Sequence, residues 1–121
     1  MKLEEQVVSL ELAKKLKELE VKQESLYYWD ENDKEVYRSI DRSAKDIGCI
    51  SAFTVAELGE ILPIGYHNIR ITDTFDKARY VCRKDRVDAP WNQYADTEAN
   101  ARAKMLVYLL IENKFLHGKV E

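Results

Sequence analysis

Glycine, cysteine and histidine are scarce in this chain, long apolar runs are missing, and each shortage removes a class of answer. With four glycines in 121 residues, the backbone has few places to close around an anion, and no Gly-rich phosphate loop, GxSxG elbow or HExxH helix is spelled out. The cysteines, Cys49 and Cys82, lie far apart and outside CxxC spacing, which favours free buried thiols over a disulfide. Neither has a neighbouring base, so neither reads as a nucleophile. His67 and His117 lack a second ligand or a carboxylate at the short spacing of a zinc or general-base site. Both read as surface residues, and no metal, cofactor or catalytic residue is expected.

The longest apolar run, Met105 to Ile111, falls far short of the roughly 18 residues that cross a bilayer. The opening MKLEEQVVSLELAKKLKELE lacks the basic and continuously apolar regions of a secretory leader, so an intracellular, cytoplasmic protein without a membrane partner is expected. Excess positive charge is missing too. A net charge of −3 argues against general binding to polyanions and leaves room only for a local basic patch.

What is present reads as one ordinary globular domain spanning 1–121, large enough to bury a core without staples. The strongest stretch is Ala95 to Phe115, a helix opened by the acceptor oxygens of Asp96 and Thr97. Its wheel puts Ala99, Ala103, Leu106 and Leu110 on one stripe, flanked by Met105, Val107 and Leu109, with Lys104, Tyr108 and Glu112 opposite. An earlier helix from Ser9 to Leu19 buries Leu12, Ala13, Leu16 and Leu19, and Glu20 stands where a left-handed glycine is the usual stop. Thr54 and Glu57 have capping-box spacing, with Phe53 and Leu58 at the two staple positions, so a helix runs from Val55 to Leu62 and stops at Pro63.

Strands are expected at Ser25 to Trp29, where aromatics crowd, and at Val36 to Ile40, where apolar and polar residues alternate. Asp30 to Gly48 otherwise reads as turn and loop. Asn68 to Lys84 alternates with period two. Pairing Asp73 with Ala78 around a Thr74 to Lys77 turn sets Ile71 against Tyr80 and Ile69 against Cys82, leaving Asn68, Arg70, Thr72, Arg79, Val81 and Arg83 on the other face. Arg86 to Pro90 is a connection, and Trp91 to Ala95 a last short strand. The expected fold is α+β, with a small antiparallel sheet of about four to five strands and three helices mainly on one face.

Four stretches resemble a family of short uncharacterised proteins of gut anaerobic bacteria and their prophages. They are SLELAKKLKEL at Ser9 to Leu19, KQESLYYW at Lys22 to Trp29, SAFTVAELGEILP at Ser51 to Pro63 and ADTEANARAKMLVYLL at Ala95 to Leu110. The resemblance implies a fold and a phage-related setting and carries no catalytic residue. Such proteins tend to have glycine after the first helix and again near the last; Glu20 and Lys114 depart from that pattern.

The leading functional reading is a small non-enzymatic accessory or protein-interaction domain with an unidentified protein partner. An alternative from another class is a small-ligand or nucleic-acid binding module on the Arg70, Arg79 and Arg83 sheet face, aided by Trp91 and Tyr94. The bland reading of that face is solvated sheet surface, given Asp73, Asp76 and Asp85 nearby in sequence. Tyr27, Tyr28 and Trp29 have the same ambiguity between stacking platform and core, and core is favoured. An enzyme ranks third. Tyr108, read as outward-facing, and Ile111 are candidates for a homodimer contact.

Overall fold

The computed structural model of the chain describes residues 2–43, 45–63, 65–72, 78–83 and 91–112, with positions 69, 71, 72, 78 and 79 described by backbone alone. The expected Thr74 to Lys77 turn, the Arg86 to Pro90 connection, His117 and the last helical residues up to Phe115 lie outside the described residues. Along the chain run α1 (Leu3–Gln6), α2 (Leu10–Glu18), β1 (Tyr27–Asp30), β2 (Glu35–Arg38), β3 (Cys49–Ser51), α3 (Val55–Ile61), β4 (His67–Thr72), β5 (Ala78–Arg83), β6 (Gln93–Ala95) and α4 (Glu98–Ile111). The α+β class is as expected. The single sheet is not: there are two three-stranded antiparallel sheets, ordered β2-β1-β3 and β4-β5-β6, and four helices among the described residues.

Two short elements account for the extra strand and the extra helix. β3 is three residues, all buried, and pairs with β1 through Trp29 opposite Ile50 and Tyr28 opposite Ser51. α1 is a single turn with no buried residue of its own. Neither is long enough to show a period. After α1, the chain enters the core: Val7 and Val8 are almost fully buried, the Val8 N–H donates to the Phe53 carbonyl at 2.9 Å, and the Trp29 indole N–H donates to the Val8 carbonyl at 2.8 Å. Those bonds satisfy backbone groups that burial would otherwise leave stranded.

The helix starts follow from their capping residues. Ser9 accepts from the Leu12 N–H, Thr97 from the Asn100 N–H, and Thr54 from the Glu57 N–H at 3.2 Å while Glu57 Oε1 accepts the Thr54 N–H at 2.9 Å. Glu57 Oε2 also accepts from the Leu26 N–H at 3.0 Å, so the capping box fixes the entry to β1 as well. The staple residues Phe53 and Leu58 are both buried. The end of α2 is a Schellman turn. Glu20 sits at φ 66°, its N–H donates to the Lys17 carbonyl, the Val21 N–H reaches back to Leu16, and both Leu16 and Val21 are buried.

α4 is the central element. Ala99, Ala101, Ala103, Met105, Leu106 and Leu109 are buried, a band wider than the single stripe of the wheel, because helices and strands pack on it from several sides. Leu110 is only half-buried, and Tyr108 is half-buried against the core rather than facing outward. Around α4 one core joins Trp29 and Ile50 of the first sheet to Cys82 and Ala95 of the second. The aromatic run before Asp30 divides accordingly. Trp29 enters this core with Tyr27 packed at its margin, while Tyr28 is buried on the reverse face of the first sheet, where its hydroxyl donates to the Gln23 carbonyl and accepts from the Ser25 N–H.

The β4–β5 pairing is displaced by one residue from expectation. Thr72 stands opposite Ala78, so Arg70 opposes Tyr80, Asn68 opposes Cys82 and Ile69 opposes Val81. The inner face of β5 remains Tyr80 and Cys82, but β4 is turned over relative to it. Asn68 now faces the helices, where its amide donates to the Glu98 carbonyl at 3.0 Å. Strand alternation does not fix this choice of register, in which Asn68 reaches the start of α4.

Candidate functional site

The register disperses the arginine face. Positions on paired strands that stand opposite share a face. Arg70, across from Tyr80, therefore belongs to the side that carries Cys82 and Ala95, while positions 79 and 83 belong to the reverse side with Val81. Arg70 is exposed, Arg83 is half-buried across from the exposed His67, and the side chain of Arg79 lies outside the described residues. Tyr94 pairs with Val81, so it shares the reverse face with Arg83; it is partly exposed, and its carbonyl accepts from Lys104 Nζ at 2.9 Å. Trp91 is partly exposed just ahead of β6, its carbonyl bonded to the Gln93 amide at 2.8 Å. Arg83 and Tyr94 thus lie on one face of the second sheet and Arg70 on the other.

The two cysteines are free and buried. Burial pushes the Cys82 thiol up to about 12 and raises that of Cys49. At neutral pH both are protonated and poor nucleophiles. Among the described residues no cluster of three or more His, Cys, Asp or Glu could hold a metal ion, and no helix is long and apolar enough to cross a membrane.

One polar cluster on the reverse of the first sheet has a structural explanation. The Arg42 guanidinium lies 4.2 Å from the centre of the Tyr37 ring and 3.7 Å from Asp30 Oδ2, and the Tyr37 hydroxyl donates to Asp33. These contacts fold the segment after β2 back onto the β1–β2 hairpin. They use up the charges they bring together.

A further concavity lies elsewhere, bordered by residues of both sheets and by the starts of α3 and α4. A cavity of about 370 Å³ is lined by Leu3, Glu5 and Gln6 of α1, Tyr27 of β1, Thr54, Val55 and Ala56 at the start of α3, Tyr80 of β5, and Asp96, Thr97 and Glu98 at the start of α4. Its lining is mostly apolar, with two tyrosines from different sheets and three acidic residues. The apolar members Leu3, Tyr27, Val55 and Tyr80 pack at the edge of the main core, which fixes the cavity walls. Glu5 accepts from the Lys2 N–H at 3.1 Å. Neither Glu5, Asp96 nor Glu98 has an ion-pair partner among the described residues.

A second, more open hollow borders it, lined by Ser9, Glu11, Leu12, Tyr94, Asp96, Asn100 and Lys104. There the polar groups serve the fold: Asn100 Oδ1 accepts from the Ser9 N–H at 2.8 Å, and Lys104 holds Tyr94.

None of the cavity residues stands out in the sequence as a site. Asp96 and Thr97 read as capping residues, Tyr27 and Tyr80 as core, and Leu3 to Gln6 carry no period. Five separated segments must fold before the cavity forms, and no local spacing encodes that meeting. Comparison with protein-family models, with curated proteins and with solved structures finds no match.

Proposed function

We propose that this chain is a protein-interaction domain that seats part of a partner in the cleft between α1, Tyr27, Tyr80 and the starts of α3 and α4. The observation that carries this reading is the cleft itself: about 370 Å³, mostly apolar, and walled by side chains that the core holds in place. A preformed seat of this kind binds at low ordering cost, since its walls need not be fixed on association. The volume suits a side chain or two rather than an extended polymer. A non-enzymatic accessory role fits such a seat, and the family resemblance implies only a phage-related setting for it.

Selection of displayed random peptides on the full-length chain, with counter-testing on Ala56→Trp, examines the reading directly. Ala56 is exposed on the first turn of α3 and lines the cleft, so the larger ring fills the seat from a position outside the core. Peptides that bind the parent and are lost on a folded Ala56→Trp protein are expected. Failure to select any peptide, or equal binding to both proteins, would overturn the proposal.

A further inference from the structure

The lining of the cleft points to the chemistry of its occupant, and we infer that it seats a basic side chain of a partner polypeptide, arginine in preference to lysine. This rests on the interaction reading above and adds the identity of the group that enters. Three acidic residues, Glu5, Asp96 and Glu98, line the cavity, and among the described residues no basic one does. The N-terminal ends of α3 and α4 also border it, and each contributes up to about half a positive charge. Thr54 and Thr97 already accept one N–H at each end, and two half-charges leave three carboxylates in clear excess. The cavity is therefore net negative and suits a cation.

The apolar part of the lining selects among cations. A small hydrated metal ion would leave the walls of Leu3, Val55 and the two tyrosines unused. An arginine side chain uses both: its aliphatic stem packs on apolar surface, while the planar guanidinium stacks on aromatic rings and meets carboxylates two bonds at a time. Lysine, a compact and strongly hydrated charge, gains less from the rings. An acidic side chain would meet repulsion from all three carboxylates.

The test is a titration of the isotope-labelled full-length chain followed by amide shifts, with acetyl-Gly-Arg-Gly-amide as probe and the corresponding Gln and Glu peptides as controls. Saturable shifts at Leu3, Val55, Ala56 and Glu98 are expected for the arginine peptide, with a Kd on the order of 1 mM. Binding of the glutamine peptide should be about tenfold weaker, and that of the glutamate peptide undetectable. An Asp96→Asn/Glu98→Gln protein, which keeps side-chain shape, should retain its spectrum away from the cleft and bind the arginine peptide about fivefold more weakly. Added salt should weaken binding to the parent as well. Equal binding of the three peptides, shifts confined to other surfaces, or unchanged affinity in the double variant would overturn the inference. So would equally tight binding of propylguanidinium alone, which would make the occupant a free small cation. If the display selection yields peptides without arginine that are still lost on Ala56→Trp, this inference falls and the interaction reading stands.

Discussion

Glu20 and Cys82 show two side chains whose surroundings oppose them. Glu20 adopts the left-handed conformation, φ 66°, that closes α2. An L-residue there costs about 1–2 kcal/mol; glycine would relieve that strain and lose part of the gain to its greater freedom in the unfolded chain. Glu20→Gly should therefore raise stability by about 0.5–1 kcal/mol, read as a higher urea midpoint with unchanged slope; a lower midpoint would mean that the glutamate side chain contributes something unseen at this turn. Cys82 is fully buried, and its pKa is raised by desolvation from 9.0 to about 12, with Arg102 opposing. As pH rises, the unfolded chain loses this proton first. The stabilisation is thus complete below the unfolded pKa and disappears as pH climbs toward the folded one. Urea midpoints between pH 9 and 11 should fall more steeply for the parent than for Cys82→Ala, and parallel curves would contradict the assigned burial.

At the scale of elements, α4 is the clearest case of a segment read correctly in kind and incompletely in detail. Thr97 caps it and Leu106 is fully buried, both foreseeable from spacing. The breadth of its buried band was not, because periodicity describes one face and cannot count the elements that will pack around it. Truncation should follow the observed burial: Leu106→Ala should cost about 2–5 kcal/mol, and Leu110→Ala, half-buried, about half as much, by urea unfolding. Equal losses would contradict the packing described here. The Thr54–Glu57 box was equally legible, since a capping box is encoded within four residues. The β4–β5 register was not. Alternation fits either of two registers one residue apart, and the observed one puts Asn68 and Arg70 on the other face and disperses the arginine face. β3, at three residues, is too short to announce itself beside the helix signal that follows it.

For the molecule as a whole, two small sheets share one core through α4, so they should not melt independently. In a Trp91→Phe background, fluorescence reports Trp29 in the first sheet, while far-UV circular dichroism reports all helices and strands. The two urea transitions should coincide, as expected for a single domain of this size, and a separate earlier fluorescence transition would show the first sheet to be an independent unit. The same joining accompanies the cleft, since Tyr27 and Tyr80 come from different sheets and line one cavity with the starts of α3 and α4. That origin explains why the cleft could not be read from sequence, whereas its acidic character and apolar lining follow directly from the residues that line it. The most direct test of its role is the set of nuclear Overhauser contacts made by the arginine probe at saturation. That role requires contacts from the arginine side chain to the Tyr27 and Tyr80 rings and the Val55 methyl groups. Contacts to Trp91 and Tyr94 instead, or none to the cleft at saturation, would contradict it.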